Sequence, residues 1–150
     1  MGDLMCRNKA IAILICCTCF LTLCCSCRKK TWSESDFKLS LQPYEATVTV
    51  GKEVVFTAEL TNISNYFAEI KHSSGMPCFF FFKADEGEPE KHYWSDERTT
   101  FLRSGKSLTN SGTFTPDKPG QYILQVEMRF TIDDQEFVLN LDDINIKVVE

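Results

Sequence analysis

Apolar and polar residues alternate along most of the chain after residue 36. This is the pattern of β-strands that bury one face. The clearest run covers Tyr122–Phe130, and a second run covers Val54–Leu60. No long stretch shows the three-to-four-residue spacing of an amphipathic helix. The pattern therefore predicts an all-β domain whose core includes Val54, Phe56, Leu60, Tyr122, Leu124, Val126 and Phe130.

Turn-forming residues divide this region into about eight or nine short strands, at roughly 8–12-residue intervals. The strongest turn signal is Pro116–Gly120, and Asp133-Asp134 is predicted to close a hairpin after the clearest strand. The aromatic run Cys78–Lys83 is typical of a strand that is buried on both faces. Short strands at this spacing predict an antiparallel β-sandwich over residues 36–150.

The first 30 residues have a different character. Arg7 and Lys9 precede an uncharged run, Ala10–Cys27, which ends with a small residue, Ser26, before the cysteine. This layout is that of a secretory signal, and it resembles a bacterial lipoprotein signal. The resemblance implies that residues 1–26 form an apolar signal helix that is removed. It also implies that Cys27 is lipidated and that residues 27–35 form a tether.

Other interpretations of this segment stay open. The lipoprotein signature places a leucine three residues before the cysteine, whereas Leu23 is one place too early for Cys27, so Cys24 or Cys25 are alternatives. The run could also be an uncleaved anchor at the short end of the roughly 17–25 residues that span a bilayer. A signal cut without lipidation, or a cysteine-rich anchor carrying thioester-linked palmitate, are two further possibilities. In each case the chain is predicted to leave the cytoplasm.

Charge excludes one class of partner. The chain has 16 Lys and Arg against 21 Asp and Glu, for a net charge of −5. Three of the cations are Arg28, Lys29 and Lys30, beside the predicted lipid, so the domain itself is more acidic than the whole chain. Nucleic-acid binding needs a basic surface, which this domain lacks. The basic trio suits anionic lipid headgroups.

Candidate catalytic and metal-binding residues are few. Seven of the eight cysteines precede residue 28, which leaves Cys78 as a predicted buried thiol and excludes a disulfide-stapled domain. Cys78, His72 and His92 could form a zinc site, but their spacing does not single one out. The acidic loop 85–90 lacks the fixed spacing of a calcium loop. The sequence therefore predicts no enzyme, no metal and no cofactor.

Several landmarks in a fixed order resemble the BsuPI family of intracellular proteinase inhibitors. They are Leu60-Thr-Asn-Ile-Ser-Asn, His72-Ser-Ser-Gly, Trp94, Leu102-Arg-Ser-Gly-Lys-Ser-Leu and Pro119-Gly-Gln-Tyr-Ile-Leu, and they span about residues 45–130. The resemblance implies an immunoglobulin-like sandwich and raises proteinase inhibition as one function. Two other hypotheses are a lipid-anchored module in the cell envelope that binds a protein partner through its loops, and a structural accessory that pairs an edge strand with a larger complex.

Overall fold

The computed structural model describes residues 30–150, so the predicted signal and Cys27 lie outside the described part of the chain. A compact unit begins at Trp32 and runs to Glu150. It contains one short 3-10 turn and ten strands. The turn covers Glu34–Asp36, and the strands are β1 (Phe37–Leu41), β2 (Thr47–Thr49), β3 (Val54–Asn62), β4 (Ala68–Ser73), β5 (Cys78–Lys83), β6 (Glu97–Leu102), β7 (Ser107–Phe114), β8 (Gly120–Ile132), β9 (Gln135–Asn140) and β10 (Ile144–Val149).

The strands form two sheets, which confirms the predicted all-β, immunoglobulin-like sandwich. The smaller sheet has the order β1-β3-β7, and the larger sheet is built around β8. All the pairings are antiparallel except that of β2 with β10, which is parallel and departs from the prediction. No α-helix occurs among residues 30–150, and none of the helical structure there is long and apolar enough to span a membrane.

Strand β8 is the centre of the larger sheet because it pairs along both edges. Leu124 lies opposite Phe81 of β5 and also opposite Ile144 of β10, so these two strands lie on different sides of β8. Thr131 likewise lies between Lys71 of β4 and Glu136 of β9. One edge of β8 therefore carries β4 and β5 in succession, and the other edge carries β9 and β10.

The chain leaves the sheet between the two strands on each edge of β8. Between β9 and β10, the break contains two adjacent aspartates, Asp142 and Asp143, which fit a strand ladder poorly. Between β4 and β5, four residues leave the sheet, and the Met76–Pro77 peptide bond within them is cis. This second break opens the sheet surface beside β8, next to the candidate site.

The core lies between the sheets. All seven residues predicted for it are buried, with no side chain more than 8% exposed. Aromatic rings join the sheets: Phe81 of β5 lies 5.0 Å from Phe56 of β3 and 4.1 Å from Phe114 of β7, measured between ring centroids. Trp32 is also buried, and its ring lies 5.6 Å from that of Phe37. The compact unit thus includes residues that the sequence assigned to the tether; the predicted boundary at residue 36 stays a prediction.

The strand directions define two ends of the sandwich. At one end, β3 crosses to β4 through residues 63–67, β6 crosses to β7 through residues 103–106, and the turn at 133–134 joins β8 to β9. The backbone of Ile63 donates a hydrogen bond to Asp36 there, at 2.9 Å, so the start of β1 belongs to the same end. We call this the amino end, because the chain enters the fold at it.

Candidate binding surface

A long connection between β5 and β6, residues 84–96, runs over the outer face of the larger sheet. We call it the outer loop. It begins with a hydrogen bond from the Ala84 amide to the Gln121 carbonyl, at 3.0 Å. Farther along, the Tyr93 ring meets the edge of the Phe80 ring at 5.8 Å, and the Lys91 ammonium lies 5.1 Å from the centre of the Phe80 ring. The loop thus covers Phe80, as expected for a strand buried on both faces.

Beneath the outer loop lies a buried carboxylate, Glu127. The alternation along β8 predicted that this side chain would face solvent, yet Glu127 is only 4% exposed because the loop covers that face. Its carboxylate accepts a hydrogen bond from the Arg129 Nε and lies 3.5 Å from the Lys91 Nζ. Lys91 also pairs with Glu88 at 3.0 Å, which ties the acidic part of the loop to the cluster.

The cluster keeps Glu127 ionised. Burial alone would raise the pKa of this carboxyl group, but hydrogen bonds from Arg129 and Tyr93 and the charges of Arg129 and Lys91 outweigh that effect, so its pKa lies below the ordinary value. The hydrogen bond to Glu127 raises the pKa of Arg129 in turn. Burial, followed by its hydrogen bond to Glu127, raises the pKa of the Tyr93 hydroxyl. A paired, hydrogen-bonded charge is the form in which a carboxylate tolerates burial.

The thiol of Cys78 lies beside this cluster and is buried. It donates to the Gly75 carbonyl at 3.3 Å and contacts the Met76 sulfur at 3.5 Å. Burial, and then the negative charge of Glu127, raise the pKa of Cys78. Because the thiolate is the reactive form, this environment suppresses nucleophilic chemistry at Cys78.

Beside the cluster, the break between β4 and β5 leaves a cleft of about 270 Å³. Trp94 forms one wall and is 70% exposed. Its indole lies directly over the backbone of Gly75, where an added Cβ would come within 2.2 Å of the Trp94 Cδ1. Only glycine allows this approach. The ring is therefore seated on Gly75, that is, it rests against the backbone there, although most of its surface faces solvent.

The walls of the cleft carry charges of both signs. Lys71 and Arg129 lie on the sheet, and Glu97 and Glu136 border the opening. Asp96 accepts hydrogen bonds from the Ser74 hydroxyl at 2.7 Å and from its amide at 3.3 Å; the hydroxyl bond is the main reason why the pKa of Asp96 is lowered. Lys71 also lines a second depression of about 420 Å³, bordered by Phe67 and by the Asp133-Asp134 turn. The two depressions share Lys71 and Thr131 in their linings, so they adjoin on the outer face, and together we call them the groove.

The two histidines lie in different environments. His72 is buried, with its ring nitrogens 2.7 Å from the Ser73 carbonyl and 2.8 Å from the Thr100 hydroxyl. His92 is highly exposed on the outer loop. In the described residues, no three His, Cys, Asp or Glu side chains are grouped closely enough to hold a metal ion. The acidic residues of 85–90 are exposed, as a solvated loop would be.

Sequence reasoning missed a second exposed aromatic group. Phe67 precedes β4, and Phe101 lies on the outer face of β6; the two rings stack with centroids 5.7 Å apart at an interplanar angle of 14°. They are 56% and 58% exposed, respectively. A signal was present, because Phe101 opposes Glu69 across the ladder, on the face that polar side chains occupy. The strand pairing was needed to recognise it.

Comparisons with known proteins assign no family. No protein-family profile matches the chain, so the BsuPI resemblance has no support from one. No curated protein is significantly similar to it. Among solved structures, the CARDB domain of the PF1109 protein from Pyrococcus furiosus has 14% identity and a TM-score of 0.45, over 75% of this chain and 92% of that domain. A PapD-like domain of human CEP192 has 18% identity and a TM-score of 0.43, over 82% of this chain and 92% of that domain.

A β-glucosidase from Listeria innocua also matches, with 14% identity and a TM-score of 0.43. The match covers 75% of this chain but only 16% of the enzyme. TM-scores below 0.5 at these identities say nothing about activity or partners.

Proposed function

We propose that this chain is a non-enzymatic binding module, held at a membrane by lipid on Cys27 and facing outside the cytoplasm. One observation carries the binding role: Trp94 is exposed but seated on Gly75, beside a groove with charges of both signs. Tryptophan and arginine dominate the energetics of protein interfaces, and a ring that is already positioned loses little entropy on binding. Arg129 contributes to the same surface, because its guanidinium lies 4.8 Å from the centre of the Tyr93 ring.

The nature of the groove favours a protein partner over a small molecule. Small-molecule sites are enclosed, whereas this groove is open to solvent and bordered by charged side chains. Arg129 already pairs with Glu127, and its Nη1 lies 3.9 Å from Glu136. Such a surface presents fixed charges whose arrangement selects a partner of complementary charge.

Photo-cross-linking in the native cell envelope tests the binding role. A photoreactive amino acid at Ser95, which lines the groove, should cross-link to one protein species, and Trp94→Ala should abolish that product. Val55 is the matched control position, because it is 55% exposed on the other sheet. The same product from Val55, or an unchanged yield with Trp94→Ala, would remove the groove from the interface.

The anchor has its own test. Mass spectrometry of the mature protein should find a chain that begins at Cys27 with a diacylglycerol attached. Cys27→Ser should release the protein or leave it unprocessed. Unchanged lipid labelling of that variant would instead assign the modification to Cys24 or Cys25, or to neither.

One alternative has a structural observation in its favour. Strand β6 pairs with β4 along one edge, and among residues 30–150 no strand pairs with its other edge. An open edge can accept a strand from a partner, as a structural accessory of an envelope complex would. Cross-links from Thr99, within β6, rather than from Ser95 would favour this alternative. Proteinase inhibition rests on the BsuPI resemblance alone, and an inhibition assay against a subtilisin-type protease tests it directly.

A further inference from the structure

Exposed apolar side chains collect at the amino end of the sandwich. Four of the large hydrophobic residues that face solvent lie there, each at least half exposed: Ile63, Tyr66, Phe67 and Phe101. The first three lie on the β3–β4 crossing and Phe101 lies near the end of β6. Several large apolar side chains exposed at one end of a domain mark a place where the protein contacts something other than water.

The chain enters the fold beside this group. Trp32 is the first residue of the compact unit, and it lines the same depression as Phe67. Five residue steps separate Cys27 from Trp32 in the sequence, a span of about 18 Å when fully extended. A lipid at Cys27 would therefore keep the amino end within that distance of the bilayer surface.

We propose that this amino-end group is a membrane-contact surface, on which the aromatic side chains enter the headgroup region of the bilayer to which Cys27 is anchored. This inference rests on the proposed lipid anchor. Aromatic side chains favour the membrane interface, where their rings leave water without entering the hydrocarbon core. The stacked Phe67–Phe101 pair offers two rings at one point, so a single contact with the bilayer covers both.

The contact would also orient the groove. The groove runs along the outer face of the larger sheet, from the depression beside Phe67 at the amino end toward Trp94. If the amino end rests on the bilayer, the groove rises from the membrane surface. A partner seated in it would then be one that is itself at, or in, the same membrane.

Fluorescence quenching by brominated lipid tests this proposal on the mature, acylated chain. Two variants form a matched pair: Phe101→Trp, and Val55→Trp, whose native side chains are 58% and 55% exposed. Val55 lies seven residues along β3 from Asn62, about 23 Å from the amino end at the usual strand rise. The unchanged chain supplies the background from Trp32 and Trp94.

The chains are inserted in phosphatidylcholine vesicles with and without bromine on the acyl chains. The emission added by Phe101→Trp should be blue-shifted and should lose part of its intensity in brominated vesicles, whereas that added by Val55→Trp should be unaffected. Equal quenching of the two, or none of either, in a chain that mass spectrometry shows to be acylated would overturn the contact and leave the anchor intact. A chain with no acyl group that does not associate with vesicles would overturn both.

Discussion

Glu127→Gln should destabilise the fold, although the substitution keeps the size and shape of the side chain. The amide cannot neutralise Arg129, and it presents a donor group where two cations converge. Leaving a buried charge without its partner costs about 3–5 kcal/mol. Here the Arg129 side chain is 43% exposed and that of Lys91 is 26% exposed, so both cations can recover water. We therefore expect a smaller loss in the free energy of unfolding at pH 7, about 1–3 kcal/mol.

The pH dependence distinguishes charge from packing. The pKa of Glu127 is lower in the folded chain than in the unfolded chain, so its contribution to stability is full above the unfolded value, about 4.3, and is lost as the pH falls through the folded value. The difference in stability between the parent and Glu127→Gln should thus be constant from pH 7 to about 5 and shrink below about 4.

Urea denaturation followed by circular dichroism over that pH range measures the difference. Glu136→Gln is the matched control, since Glu136 is 67% exposed and lies 3.9 Å from the same arginine. It should cost less than about 0.5 kcal/mol. If the Glu127→Gln loss persisted unchanged at low pH, it would arise from packing, and the ionised cluster would have no role. Equal losses for the two variants would refute the reasoning altogether.

Two other substitutions probe the core and the groove. Leu124→Ala should lower the free energy of unfolding by about 2–5 kcal/mol, because it removes buried surface and leaves a cavity. Gln121 is exposed on the same strand, so Gln121→Ala should change that free energy by less than about 0.5 kcal/mol. Urea denaturation measures both losses, and similar values would contradict the assignment of the two faces. In Gly75→Ala, the added Cβ should displace the Trp94 indole, shift its fluorescence and reduce cross-linking from Ser95. Because the ring is exposed, the free energy of unfolding should change by less than about 1 kcal/mol. Unaltered emission would show that the indole does not rest on Gly75.

The sequence predicted the sandwich because alternation reports which face of a strand the core buries. The core face of β8 was read correctly for that reason. Its other face was not: Gln125 and Glu127 were expected in solvent, but Gln125 is half-buried and donates to Asp143 at 3.0 Å, and Glu127 is buried. Alternation describes one strand at a time and cannot show that a distant loop will cover it. The run Cys78–Lys83 was the one hint, since two apolar faces require two coverings.

The candidate site depends on three-dimensional features that leave little trace in the sequence. Trp94 was visible as a landmark, but its seat on Gly75 depends on the path of two loops. The stacking of Phe67 on Phe101 depends on the β4–β6 register. Likewise, the parallel pairing of β2 with β10 joins strands from opposite ends of the domain, which no local pattern encodes.

The central place of β8 has a consequence for how the chain matures. β8 pairs with β4, β5, β9 and β10, whereas the smaller sheet is complete once β7 has been made. During synthesis, the aromatic run Cys78–Lys83 therefore has no sheet partner until β8 has been made. Such an apolar β-segment, whose one charge lies at its end, readily aggregates while it is unpaired. A chain that crosses a membrane before it folds would need this segment shielded during the crossing. Because β8 is the sheet partner of this segment, we expect truncation before residue 120 to give an insoluble product rather than a smaller folded domain.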